Sequence, residues 1–149
     1  IIFFNKINFR LFFYSRNASF IKINKYLKEN KITNVKIIVN SKNIAKEFYY
    51  SDLIITSGGY SSFEASFLKK PFVTIQMSKN QKYNCLAFEK LGASINLGDI
   101  KKNNKMLPKS FEKIIYNTEL LTKMTRNSKK IFKYWHNEKL INSILEKIK

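Results

Sequence analysis

Short apolar runs alternate along this chain with longer stretches of helical spacing. The runs lie at Leu11–Tyr14, Val35–Val39, Leu53–Thr56, Phe72–Ile75 and Ser94–Leu97, and they are rich in β-branched and aromatic residues. Most are continuously apolar, as expected of strands covered on both faces. Between the first two, Phe20, Ile23, Tyr26 and Leu27 share one helical face behind a candidate cap, Ser19. Ser41 precedes a short helical pattern with Ile44 and Phe48, and Ser61 or Ser62 opens one with Phe63, Ala65, Phe67 and Leu68. Another pattern runs from Asn80 to Leu91 and stops at Gly92. Strands alternating with helices predict an α/β fold: a parallel sheet, right-handed crossovers and helices on both faces.

The pattern changes after Gly98. Residues 99–106 read as a polar loop, and Pro108 stands where a helix can begin. Apolar residues then recur at Phe111, Ile114, Ile115, Leu120, Leu121 and Met124, and again through Trp135, Ile141 and Ile148. Residues 108–149 are therefore expected to form two or three closing helices. No internal repeat and no Gly/Ser/Pro-rich linker divides the chain, so residues 1–149 read as one domain. The opening Ile1-Ile2-Phe3-Phe4 run is broken by Asn5, Lys6, Asn8 and Arg10. It is too short for a membrane helix and lacks the frame of a signal peptide. Residues 1–9 are expected to be the edge of a truncation.

Charge alters this picture less than its size suggests. Lys and Arg number 28 against 10 Asp and Glu, a net charge of +18 over 149 residues. A basic surface attracts phosphates, and a nucleic-acid partner is the first thought. Yet only Arg10, Arg16 and Arg126 are arginine, the side chain whose planar fork grips phosphate and guanine. The Lys/Asn/Ile skew is what an AT-rich genome writes into any protein. The charge is assigned to that composition, with no nucleic-acid partner. Apolar residues at 44% exclude a disordered basic tail. Cys85 is the single cysteine, so an intrachain disulfide is impossible and a reducing, cytoplasmic setting fits. Mid-helix, it reads as buried packing. Metal ligands are sparse, and no metal or cofactor is expected. Lys101, Lys102 and Lys105 read as a solvated loop.

Candidate chemistry concentrates in Ser51-Asp52-Leu53-Ile54-Ile55-Thr56-Ser57-Gly58-Gly59-Tyr60-Ser61-Ser62-Phe63-Glu64. A strand ends in a Gly-Gly turn, and hydroxyl residues open a helix. Gly58 and Gly59 let backbone approach a ligand, and the helix start offers free N–H groups and positive potential. Ser61 and Ser62 add hydroxyl donors. Glu64, in the first helical turn, can accept two hydrogen bonds from a ribose diol. The same residues also suit a plain tight turn with a capped helix. The pattern is neither a Walker A loop nor a G-x-G-x-x-G fingerprint. A second polar cluster, Gln76 to Asn84, follows the next strand, and its amides suit sugar hydroxyls.

Taken in order, these segments carry a resemblance. Asp-Leu-Ile-Ile, Ser-Gly-Gly-x-Ser-Ser-x-Glu, Lys-Lys-Pro-Phe-Val-Thr-Ile, Asn-Gln-x-x-Asn and Phe-Glu-Lys-Leu-Gly-Ala follow one another from Asp52 to Ala93. The chain resembles the C-terminal, Rossmann-like domain of the GT-B superfamily enzymes that handle UDP-sugars. It is similar to the family 28 glycosyltransferases and closer to the UDP-sugar hydrolases of pseudaminic acid biosynthesis. Asn43 to Phe48 matches a further family segment, and coverage runs over residues 10–149. The resemblance implies that Gly58, Gly59, Ser61 and Ser62 surround a diphosphate and that Glu64 holds the ribose. It also implies that Asn43 and Ile44 lie near the uracil and that Asn80 and Gln81 face the sugar.

Two departures stand out. Tyr60 replaces a small residue in the loop, and the family's N-terminal domain, which carries the hydrolase's catalytic histidine, has no counterpart here. His136 matches no family motif and reads as structural or solvated. The expectation is therefore a UDP-sugar-binding half that stabilises UDP as leaving group, has no catalytic residue of its own, and has an N-terminal domain and a UDP-sugar as partners. Alone it is expected not to hydrolyse its ligand. A glycosyltransferase half and a basic nucleic-acid or partner-binding module are the alternatives. No membrane insertion is expected.

Overall fold

The computed structural model describes residues 6–15, 18–103 and 107–132. They fall into two compact units, divided between Ile44 and Ala45. In the first, strand β1 (Phe9–Phe13) leads through helix α1 (Ala18–Glu29) to β2 (Val35–Val39). The two strands pair in parallel, Phe9 beside Val35 through Phe13 beside Val39. This β-α-β unit has the connection that parallel pairing requires. Leu27 on α1 is its buried apolar side chain among the described residues. The Phe13 and Phe20 rings meet edge to face at 5.7 Å, tying β1 to α1. Lys31 and Asn40 take left-handed φ values of 50° and 51°. Lys31 stands just past the helix end, where Gly or Asn is the usual occupant. Asn34 Nδ2 donates to the Ile7 carbonyl at 2.9 Å and anchors the start of the strand pair.

Helix α2 (Ile44–Tyr49) leads into β3 (Ile54–Ser57), α3 (Tyr60–Phe67) and β4 (Phe72–Gln76). A 3-10 turn over Lys79–Gln81, α4 (Lys82–Lys90) and β5 (Ser94–Asp99) follow. These strands make a second parallel sheet in the order β3-β4-β5, with Ile54 beside Phe72 and Phe72 beside Ser94. Phe72, Val73 and Thr74 of the central strand are buried, as are Ala65 of α3 and Cys85 and Phe88 of α4. Phe88 stacks edge to face on Phe63 at 5.0 Å and on Phe72 at 5.2 Å, so one ring chain joins α3, α4 and β4. Such contacts add about 0.5–1.5 kcal/mol each beyond the area they bury. Short α5 (Ile100–Asn103), α6 (Leu107–Ile115) and α7 (Thr118–Ile131) close the described chain. Ile114 of α6 and Met124 of α7 are buried.

The α/β class and its parallel strands are as expected, with the strands divided between a two-stranded and a three-stranded sheet. Several local expectations change. Helix α1 starts at Ala18, which puts Ser19 inside the first turn rather than at the cap. The segment from Asn80 to Leu91 is two pieces, a 3-10 turn and then α4. Part of the expected 99–106 loop is helical: Asp99 Oδ1 accepts from Lys101 N at 2.9 Å and starts α5. A carboxylate serving its own chain two residues on is an ordinary helix opener. Asn117 caps α7 by accepting from Leu120 N at 2.9 Å. No helix among the described residues is long and apolar enough to cross a membrane. Trp135, His136 and the rest of the last expected helix lie outside the described residues, as do residues 1–5.

Candidate functional site

Parallel strands β3 and β4 end side by side, and the segments that leave them meet. Ser57-Gly58-Gly59 leaves β3 for α3, and Met77 to Gln81 leaves β4 for α4. Ligands of open α/β sheets sit at such carboxyl ends. Asn84, on the first turn of α4, donates from Nδ2 to the Gly58 carbonyl at 2.9 Å. Gln81 Oε1 accepts from Met77 N at 3.0 Å. That bond turns the Gln81 Nε2 toward Gly59, where a built Cβ would lie 3.7 Å from it and 3.4 Å from Ser57 Oγ. The two polar clusters of the sequence are one place in the fold.

The glycines act differently from one another. Neither has a positive φ, so neither is demanded by backbone conformation. Gly58 is demanded by contact: a Cβ there would sit 2.5 Å from Cys85 Sγ and 2.7 Å from the Gln81 carbonyl. The close approach expected for a ligand is, at Gly58, an approach of the chain to itself. Gly59 meets nothing closer than ordinary contact and leaves the turn open.

Helix α3 begins at Tyr60, with Gly59 as its cap residue and no side-chain cap. It thus starts one residue before Ser61, the earlier of the two serines expected to open it. Ser62 is fully buried, its N–H donates to the Gly59 carbonyl at 3.1 Å, and its Oγ donates to the same oxygen at 2.6 Å. The hydroxyl expected to donate to phosphate is engaged within the turn, which it rigidifies. Ser61 is half-buried beside it. The N–H groups of Tyr60 and Ser61 open the helix, where the intrahelical ladder supplies no acceptor and the helix dipole is positive. Glu64 is exposed one turn further on. Asn80 is exposed, and its Oδ1 accepts from Ser78 Oγ. Asn43, exposed, and Ile44, half-buried at the start of α2, belong to the first unit.

Sequence reasoning passed over Asn84 and Ser57. Asn84 was visible as the last residue of Asn-Gln-x-x-Asn, three positions beyond Gln81 and therefore on the same face of the helix opening. Cys85, expected as buried packing, is fully buried, and burial pushes its thiol pKa up. Among the described residues no cluster of His, Cys, Asp and Glu could hold a metal ion.

A parallel α/β chain, with a glycine turn feeding a helix start and an amide-rich segment beside it at the carboxyl ends of two strands, has the layout of a ligand-binding α/β domain. The chain matches the glycosyltransferase family 28 C-terminal domain over residues 4–140, and it belongs to that family. Among curated proteins it is 29% identical over 128 residues to an enzyme of Halothermothrix orenii, covering 80% of this chain and 34% of the relative. It is 32% identical over 106 residues to one from Finegoldia magna, covering 68% of this chain and 29% of the relative. Both are named UDP-N-acetylglucosamine–N-acetylmuramyl-(pentapeptide) pyrophosphoryl-undecaprenol N-acetylglucosamine transferase. The chain thus spans about a third of the length of the relatives it matches. The similarity to glycosyltransferases takes precedence over the expected closeness to pseudaminic-pathway hydrolases.

Proposed function

We propose that this chain is the nucleotide-binding half of a cytoplasmic glycosyltransferase whose donor is a UDP-sugar, with UDP-N-acetylglucosamine as the first candidate. The observation that carries the reading is the junction of the Gly58-Gly59 turn, the start of α3 and the Gln81–Asn84 segment. The diphosphate meets Gly59 and the opening N–H groups of α3, with Ser61 beside them. Glu64 takes the ribose hydroxyls, and Asn80 and Gln81 the sugar. Ser62 shapes the turn from inside. An acceptor hydroxyl attacks the anomeric carbon, the bond from that carbon to the β-phosphate oxygen breaks, and UDP leaves with the electron pair. The acceptor's proton goes to a base on an N-terminal domain. The role of this half is to stabilise charge growing on UDP with preorganised donors, which is electrostatic catalysis.

Water as acceptor would make the same half a hydrolase, as the pseudaminic-pathway resemblance implied. The names of the relatives weigh toward transfer. Calorimetric titration with UDP tests the reading. Saturable binding is expected, weakened about tenfold in Glu64→Ala, as for loss of a charged hydrogen bond. It is expected to change little between about 50 and 200 mM salt. Binding of single-stranded RNA instead, with a steep salt slope and indifference to Glu64→Ala, would replace this reading with that of a basic module.

A further inference from the structure

The Gly58–Gly59 peptide is flanked by two residues without side chains. With no Cβ on either side, rotating the whole peptide plane costs little locally. Its orientation matters because a trans peptide points its C=O and its N–H in opposite directions, and there are no cis peptide bonds in the described chain. Whatever holds the Gly58 carbonyl also aims the Gly59 N–H. What holds it is the Asn84 amide, at 2.9 Å, from the first turn of α4. The bond is partly buried, and Gly58 itself is buried against Cys85 and Gln81.

We infer that Asn84 is a positioning residue: by gripping the Gly58 carbonyl it turns the Gly59 N–H away from α4, to join the N–H groups of Tyr60 and Ser61 as a diphosphate donor. Asn84 need not touch the ligand to do this. An amide is the right group, because it donates to a carbonyl without bringing a charge beneath the turn. Asp at the same position would set a carboxylate against the carbonyl oxygen and favour the flipped plane. The flipped plane would present an oxygen, not an N–H, to the phosphates. The inference rests on the nucleotide-binding reading, and its test separates the two.

The test is titration of wild type, Asn84→Ala, Asn84→Asp and Asn84→Gln with UDP and with uridine, alongside the free-state amide NMR resonance of Gly59. UDP affinity is expected to fall about tenfold in Asn84→Ala, the cost of one misdirected hydrogen bond to a charged group. Asn84→Asp should lose more, and Asn84→Gln should recover part of the loss. Uridine affinity should stay within about twofold in all four, a factor that lies inside the free-energy scatter of changes away from a contact. The Gly59 resonance should move in Asn84→Ala before any ligand is added. An unmoved Gly59 resonance with unchanged UDP affinity would overturn the positioning role while leaving UDP binding intact. Equal losses for UDP and uridine would overturn it too, as general damage to the fold. A wild-type chain that binds neither ligand would overturn the nucleotide reading and this inference with it.

Discussion

In the first unit, β1 and β2 pair along five residues each, yet every position in both strands is half-buried or exposed. In the second, Phe72, Val73 and Thr74 of β4 are sealed from solvent. Hydropathy does not explain the difference: Val35-Lys36-Ile37-Ile38-Val39 is at least as apolar as Phe72-Val73-Thr74-Ile75-Gln76. Neighbours do. Strand β4 has a partner on each side, and α3 and α4 reach it through the Phe63–Phe88–Phe72 ring chain. Among the described residues, strands β1 and β2 each have one partner in their sheet. The candidate diphosphate and sugar residues are all carried by the better buried unit, where a rigid sheet fixes where the loops begin.

The largest expected effect breaks that sheet. Phe72→Ala should cost about 3–5 kcal/mol, the usual penalty for emptying a buried aromatic site. Ile37→Ala, half-buried on β2, should cost about 1–2 kcal/mol. Urea denaturation followed by circular dichroism measures both, and equal costs would erase the contrast between the units.

Next comes the junction of the loops. Gly58→Ala should cost about 1–3 kcal/mol, because the methyl must displace both Cys85 Sγ and the Gln81 carbonyl. Adding Cys85→Ala should not restore stability, since the backbone clash at 2.7 Å remains. Gly59→Ala meets only ordinary contacts and should shift stability by about 0.5 kcal/mol or less. Thermal melts of the three variants rank them. A Gly59 variant as unstable as the Gly58 variant would contradict the division of labour between the two glycines.

The smallest effect is electrostatic. Burial raises the Cys85 thiol pKa above its ordinary value. The folded state therefore keeps the proton after the unfolded chain has released it. The contribution is full below the ordinary thiol pKa, declines as pH rises above it, and is lost by the raised folded value. Stability should accordingly fall through the alkaline range in wild type, and Cys85→Ala should fall less steeply over the same window. Parallel slopes in pH-dependent urea titrations would show that Cys85 does not carry the effect.

Much of the fold was legible from local pattern. All five strands fall within two residues of the apolar runs, because continuous β-branched stretches have few other solutions. Boundaries moved where a hydrogen bond, not hydropathy, decides: Asp99 pulls Ile100–Asn103 into a helical turn, and Gly59 caps α3 ahead of both serines. The division of the strands between two sheets was not legible, because pairing depends on neighbours that no single run records. At the site, the residue types, polar and glycine-rich, are legible in the sequence, but their partners within the fold are not. Ser62 looks like a phosphate donor in sequence and is spent on the Gly59 carbonyl in the fold. Gly58 looks like room for a ligand and is room for Cys85 and Gln81. Asn84 carried the family motif without a visible task until its amide was seen on the Gly58 carbonyl.

The central claim is that the ends of β3 and β4 hold the diphosphate of a UDP-sugar. Amide NMR spectra of the labelled chain during titration with UDP test it most directly. The account predicts saturable shifts concentrated at Gly58, Gly59, Tyr60, Ser61 and Glu64, with the lysine-rich helices α6 and α7 unmoved. Shifts spread over the lysines of those helices and fading with salt, with the Gly58-Gly59 turn silent, would contradict it.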